Sequence, residues 1–449
     1  MNKKTELFES VPIPRAVLTF AIPMMLGMLV TVVYYLVDTF FVAQTGDPNQ
    51  VAAITICMPA FMLCMALGNL FGVGGASYIS RLLGEKDYGN AARTSSIAFY
   101  MSIALGLVCS IILLSLMGTA LPLMGATEHT IVFARRYLTW IAGGAVTIVM
   151  SFGLGQIVRS VGAAKEAMIG MIIGTGLNIV LDPIMILGLG MGVVGAAVAT
   201  VISNLTSVVF FIILIIRKDY PLSINPKNFK PSKKILTSVL AIGIPSTLTE
   251  LLFSGVNTIF NNFGSKYGEE FLAAFGIANV IVMFPCMIVM GLSQGIQPLL
   301  GYAYTANLHK RLEGVLKFAL SAATGSACVL TVLVYIIGKA AVGAFIDDGA
   351  VVALGWYIIQ RVSWSIPVLA AYFVLSTVFQ ALGKAKQALI LSLARQGIVF
   401  VPLLLILNYT LKMDGLILAY PFSDIGSTIL CVLLFLPVLK ELKGKEGLT

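Results

Sequence analysis

Apolar residues run along this chain in blocks longer than any amphipathic helix or strand requires. The blocks lie at 16–43, 52–80, 94–118, 131–158, 167–190, 193–216, 235–261, 272–300, 314–338, 351–380, 388–408 and 414–438, with the polar residues gathered in the short breaks between them. Each block is long enough to cross a bilayer core of about 30 Å. A span in hydrocarbon has to satisfy its own backbone, so each is predicted to be helical. The pattern predicts an all-α polytopic membrane protein with twelve transmembrane helices. The first, second, seventh, eighth and tenth blocks exceed the needed length and are expected to tilt or project.

The halves of the chain are related. RSVGAAKEAMI at 159–169 pairs with QALGKAKQALI at 380–390, with five identities in eleven at an offset of 221. GAAVATVISN at 195–204 pairs with GLILAYPFSD at 415–424 at an offset of 220, and Pro23 pairs with Pro245 at 222. Three matches at nearly one offset, in chain order, indicate a repeat. Six spans separate the copies, so both have the same orientation, which predicts two pseudo-symmetric six-helix bundles in a V about an axis along the membrane normal. The expected organisation is an N-terminal bundle over 1–216, a cytoplasmic linker over 217–234 and a C-terminal bundle over 235–449. The linker, RKDYPLSINPKNFKPSKK, carries six basic residues and three prolines; proline stiffens it and keeps the flanking helices apart. Such a pair of bundles suits an alternating-access transporter.

Composition narrows the function classes. Of 449 residues, 58% are hydrophobic and 11% charged, and the mean hydropathy is +0.97. Soluble domains are about a quarter charged, so a soluble domain, a disordered chain and a nucleic-acid binder are excluded. The net charge of +9 follows from loop placement: 23 of the 29 Lys and Arg fall on one side of the predicted topology. That side is cytoplasmic by the positive-inside rule, and it holds both termini. No removable signal peptide is expected at the start. The expected setting is the cell membrane, and the expected state a monomer. The six cysteines all fall in apolar blocks without metal or redox spacing and read as packing thiols. His129 and His309 are expected in loops and carry no protons. A membrane enzyme would want a catalytic His or an Asp-rich metal motif, and neither occurs.

Four acids fall well inside predicted spans: Asp38, Asp182, Glu250 and Asp424. An acid at mid-bilayer costs about 2.5–3.5 kcal/mol, so it is expected to face a wet cavity or a partner. Asp38 lies about 30 Å along the first helix, in the outer half, with Thr31, Tyr34 and Tyr35 on its face. Asp182 is also in the outer half, on the fifth helix, with Asn178 one turn earlier and Pro183 next. Proline has no N–H, so the Ile179 carbonyl loses its helical donor. The bend therefore offers a carboxylate, an amide oxygen and a carbonyl, oxygens of the kind that hold Na⁺. Thr200 and Asn204, four apart on the sixth helix, are placed to join them. Glu250 and Asp424 supply acids to the second half, Asp424 aligning with Asn204. Arg395 either reaches out to the interface or pairs with Glu250 or Asp424; pairing would make that acid structural. Acidic deep charges favour a cationic substrate, and Tyr34, Tyr35, Asn204, Glu250 and Asp424 are the candidate substrate contacts. No cofactor is expected; the coupling ion is H⁺ or Na⁺, since a carboxylate serves both.

These residues resemble the multidrug and toxic compound extrusion (MATE) transporters. The resemblance rests on TVVYYLVDTFFV around Asp38, GASYISRLLGEKDYGNAAR between the second and third helices, GAAKEAMI and NIVLDPI on the fifth, and GVVGAAVATVIS leading into the sixth. It covers nearly the whole chain and implies export of cationic amphiphilic drugs in exchange for H⁺ or Na⁺. Asp38, Asn178, Asp182 and Thr200 match the cation-coupling cluster of the DinF-like branch, a site for H⁺ or Na⁺. Glu250 is similar to the functional helix-7 acid of other branches. The tenth span contains no carboxylate, so the second-lobe acid of the NorM-like branch is missing. The alternative reading is a lipid-linked oligosaccharide flippase of the same superfamily, which would want a basic cavity.

Overall fold

The computed structural model describes residues 3–446, with side chains described for 6–34, 36–38, 40–42 and 44–442. Ten helices are long and apolar enough to cross a bilayer, and Ile131–Gly143 with Ala145–Ser160, bent by 53°, makes an eleventh span. The last of the ten, Ala385–Leu442, is two helices folded at Lys412, whose backbone (φ 54°, ψ −125°) is not helical. The described residues thus form twelve spans and no strand. They are α1 (Ile13–Ala43), α2 (Pro48–Gly84), α3 (Tyr88–Ser115), α4 (the bent pair), α5 (Ala164–Asp182, continued by Pro183–Gly188) and α6 (Val193–Arg217). The remainder are α7 (Lys233–Gly264), α8 (Glu269–Thr305), α9 (His309–Phe345), α10 (Gly349–Val362 and Ile366–Ala381), α11 (385–411) and α12 (413–446).

Three details differ from expectation. α9 has 37 residues, as many as α2 and α8, because its polar first turns remain helical. The tenth span is broken by a 3₁₀ turn at Ser363–Ser365, just before Pro367. His309 lies in no loop: it is the first residue of α9 and is buried.

Helix starts follow from local chemistry. Asp47 precedes Pro48 and accepts from Asn49 N at 2.9 Å. Asp348 accepts from the N–H groups of Ala350 and Val351 at the start of α10. Each satisfies first-turn donors that have no helical partner. Asp87 does the same for α3, accepting from Asn90 N at 3.0 Å and Asn90 Nδ2 at 2.6 Å. Those two bonds, with Lys234 and Arg93 nearby, hold its carboxyl below the usual carboxylate range.

The chain packs as two compact units, one of residues 29–251 and one of 1–28 with 252–449. Their borders fall inside α1 and α7. Backbone-to-backbone packing is the reason. Within 29–251, a Cβ on Gly74 of α2 would strike the Val239 carbonyl of α7, and one on Gly243 of α7 would strike the Leu70 carbonyl. In the other unit, a Cβ on Gly295 of α8 would strike Ala21 of α1, and one on Gly291 would strike Met25. Gly74 and Gly295 are 221 positions apart, and Ala21 and Gly243 are 222 apart, so the repeat recurs in the contacts.

Polar contacts close each unit. In 29–251 the linker is fastened rather than free: Ser95 Oγ donates to Ser223 O, Ser96 Oγ to Asn225 O and Tyr100 OH to Ile224 O, at 2.9–3.0 Å. Glu166 accepts from Lys218 Nζ and Tyr220 OH. In the other unit, Phe8 stacks on Tyr302, Tyr302 OH donates to Glu9 Oε1 at 2.6 Å and Arg311 Nη2 to Leu7 O at 2.9 Å. The turn at Lys412 is pinned by Tyr267 OH on Asn408 and Tyr357 OH on Asp414. Outward faces such as Leu107, Val108, Ile111 and Leu114 of α3 are exposed and apolar, as lipid contact requires.

Gly243→Ala should destabilise the chain by about 1–3 kcal/mol, because carbonyl and Cβ cannot share one position. Gly276→Ala, whose Cβ would meet nothing within 4 Å, should be neutral or up to about 1 kcal/mol stabilising. Thermal unfolding of the two purified variants compares them directly.

Candidate functional site

Asp38, Asn178, Asp182 and Thr200 are all in the 29–251 unit and all buried, with exposures of 8%, 2%, 0% and 3%. The sequence of α5 explains part of this convergence. α-Helical geometry holds up to Asp182 and then widens into a π-helical segment, Pro183–Gly188. Pro183 removes one donor, and the chain re-registers: Leu189 N donates to Ile184 O at 2.8 Å, five residues back. The expected proline bend is therefore a change of helical pitch. The hairpin to α6 is closed by Gln50 of α2, whose Oε1 accepts from Val193 N at 2.8 Å.

Asn178 is the connector. With its amide turned as its neighbours require, Nδ2 donates to Asp182 Oδ2 at 3.0 Å and Oδ1 accepts from Thr200 N at 3.2 Å. Thr200 Oγ1 meets the Tyr34 hydroxyl at 3.5 Å, which ties α1 to α6. Asp38 lies within electrostatic range of Asp182. Its Oδ1 is buried and makes no hydrogen bond among the described residues. Among the described residues, neither acid forms an ion pair; those present involve Glu166, Glu313, Glu441 and Asp424. No three His, Cys, Asp or Glu side chains gather into a metal-ligand set among the described residues. The donor set is two carboxylates, an amide and hydroxyls, which suits a proton or a monovalent cation better than a divalent ion held by many carboxylates.

The other candidates separate. Asn204 Nδ2 donates back to Thr200 O at 2.9 Å, inside its own helix. Tyr35 has its side chain outside the described residues. Glu250 is half-buried on α7 and makes no ion pair among the described residues. Asp424 has a partner: Arg395 Nη2 and Nε reach its Oδ1 at 3.3 and 3.4 Å, and Ser365 Oγ donates to its Oδ2 at 3.1 Å. Of the two alternatives for Arg395, the structure has the ion pair.

Sequence reasoning missed Ser365, which reaches Asp424 across 59 positions, and Gln50, which reaches Val193 across 143; no local signal marks either. It also missed an aromatic group in the second unit. Phe260, Phe275 and Tyr420 lie with ring centroids 4.1–5.8 Å apart, with Phe400 4.8 Å from Tyr420. They adjoin a cavity of about 30 Å³ between Phe275, Ala278, Val282, Ile358, Val362 and Tyr420, room for water-sized groups only.

Comparison with known proteins adds to this geometry. The MatE family pattern matches residues 23–184 and again 245–406, two stretches 222 positions apart. The chain is 36% identical over 410 residues to multidrug export protein MepA of Staphylococcus aureus (strain MRSA252), covering 91% of this chain and 90% of that protein. It is 34% identical over 438 residues to multidrug export protein MepA of Staphylococcus haemolyticus (strain JCSC1435), covering 98% and 96%. The fold matches a crystal structure of MATE in complex with MaL6 with a TM-score of 0.93, at 27% identity, over 99% of this chain and 100% of that one.

A buried pair broken on one side leaves an uncompensated charge, at a cost of about 3–5 kcal/mol. Arg395→Met and Asp424→Asn should each destabilise by about that much, and the double variant by less than either. Chemical denaturation of the four forms in detergent supplies the cycle.

Proposed function

The chain belongs to the MATE family, and on that premise we propose that it is a secondary active exporter of cationic amphiphilic compounds, driven by exchange for H⁺ or Na⁺. Membership makes it a multi-pass membrane carrier rather than an enzyme, and the multidrug export proteins among its relatives support efflux as its work. The carrying observation is the pair of buried carboxylates, Asp38 and Asp182, without a base of their own. Two adjacent acids in a low-dielectric interior need a proton or a cation between them. Asn178, itself held by Thr200 N, orients Asp182, and Tyr34 links the cluster to α1. The resemblance to the DinF-like branch supports this reading, in which the site accepts the coupling ion as cargo, H⁺ or Na⁺.

Coupling then follows from chemistry already in place. Asp182 is the last α-helical residue before the π-helical segment, so an ion gained or lost there acts on the point where α5 changes pitch. Asp38 and Tyr34 carry the change to α1, which has its own Pro23. Drug-loaded and ion-loaded forms cross, and the empty form does not. Glu250 contributes attraction for cationic substrates, with both termini cytoplasmic, in the cell membrane, as a monomer.

Dye transport into everted vesicles under separately imposed Na⁺ and pH gradients tests this reading. Asp38→Asn and Asp182→Asn should abolish gradient-driven transport at normal expression. Asn178→Ala and Thr200→Ala should weaken the ion dependence by about tenfold each, the equivalent of one hydrogen bond of ~1.4 kcal/mol. Unchanged ion-coupled efflux by Asp182→Asn would overturn the coupling site. Glu250→Gln should lower transport of cations more than of neutral compounds; equal loss would make Glu250 structural.

A further inference from the structure

In each half the fifth and sixth helices carry a buried acid, but only the second half pairs it with a base. In the 29–251 unit, α5 supplies an acid, Asp182, and α6 supplies the neutral Thr200. In the other unit, α11 supplies a base, Arg395, and α12 supplies an acid, Asp424. Both fifth helices widen into a six-residue π-helical segment, Pro183–Gly188 and Ala394–Val399, and Arg395 lies inside the second. Asp424 is thus a buried carboxylate whose counter-charge belongs to the chain itself.

The guanidinium is seated loosely for such a pair. Nε and Nη2 both reach one oxygen, Oδ1, at 3.4 and 3.3 Å, beyond the roughly 2.7–2.9 Å of a close charge-assisted bond. No second parallel bond to Oδ2 forms; Ser365 Oγ takes that oxygen. The guanidinium is held from the sides by Tyr372 and Phe373, with ring centres 5.3 and 5.2 Å away. One hard oxygen atom, Ser365 Oγ, stands at the carboxylate, while Thr428 Oγ1 donates to the main-chain carbonyl of Asp424 at 2.7 Å, one turn along the same helix. A carboxylate bonded by one neutral polar side chain is what Asp182 also has in the first unit, through Asn178.

We propose that Arg395 is a tethered counter-ion occupying what is otherwise a monovalent-cation site at Asp424, and that it thereby confines ion coupling to the first unit. The second part rests on the coupling reading given above. The physical argument is that a carboxylate does not stay bare in an apolar interior. A fixed guanidinium neutralises it permanently, and an exchangeable ion would do so only at the right ion concentration. With Arg395 present, the second unit carries the same charge in every state of the cycle. Without it, Asp424 takes up Na⁺ or H⁺ from the medium.

Ion binding can be read without transport. The full chain in lipid nanodiscs is melted in NaCl against N-methyl-D-glucamine chloride, and across pH, in four forms: wild type, Asp38→Asn/Asp182→Asn, that pair plus Arg395→Gln, and those three plus Asp424→Asn. The pair should lose the Na⁺ or pH response of the wild type. Adding Arg395→Gln should restore one, a rise of roughly 2 °C per tenfold in ion above saturation. Adding Asp424→Asn should remove it again. Equal ion responses in the last two forms would overturn the proposal. If the pair itself keeps the wild-type response, the coupling-site assignment fails, while the comparison of the last two forms still decides on Asp424. Should the Arg395→Gln form not fold, Asp424→Asn in the paired background decides: its lone guanidinium should be stabilised by chloride over gluconate, and no chloride effect there would overturn the proposal.

Discussion

In hydrocarbon a backbone N–H or carbonyl has no water to turn to, so a chain this apolar has to close its hydrogen bonds within each helix. Departures from α-helical geometry need something else to satisfy the backbone, and in this protein three of them lie beside the polar chemistry. α5 departs at Pro183 and recovers its bonds five residues apart, directly after Asp182. α11 departs at Ala394–Val399, around Arg395. α10 departs at Ser363–Ser365, and Ser365 reaches Asp424. π-Helical turns are scarce and gather at functional sites, and the two here fall on the fifth helix of each half.

The same medium governs the acids. A buried carboxylate is tolerated when a fixed base, a hydrogen-bond network or an exchangeable ion answers it. Asp424 has the base, Arg395, with Ser365 beside it. Asp182 has the network, through Asn178 to Thr200 and on to Tyr34. Among the described residues Asp38 has neither on its Oδ1. Answering one problem in different ways makes the two related halves of the repeated chain unlike.

Close packing organises the rest. Gly74 with Gly243, and Gly295 with Ala21, bring helix backbones together where no side chain fits between them. Small residues serve this purpose in membrane bundles because dispersion contacts, rather than water exclusion, hold the helices. They attach the first part of α7 to α2 and the first part of α1 to α8. The linker is fixed by the same economy of polar groups: its carbonyls at Ser223, Ile224 and Asn225 are taken by hydroxyls of α3.

Much of this was legible in the chain alone. Twelve apolar blocks, the repeat near 221 and the unusual acids Asp38, Asp182 and Asp424 follow from hydrophobic pattern and composition, because a bilayer imposes one solution on a long apolar stretch. The local pairing of Asn178 with Asp182 was legible too, since four residues make one turn of a helix. What required tertiary structure was everything carried across distant positions. The choice of Asp424 as partner for Arg395, the arrival of Ser365 and Gln50, the return of Asn204 to its own helix and the borders of the packing units inside α1 and α7 depend on which helix faces lie against each other. In lipid that choice is made by shape and by a few polar contacts between segments tens to hundreds of residues apart, and a uniformly apolar sequence records neither.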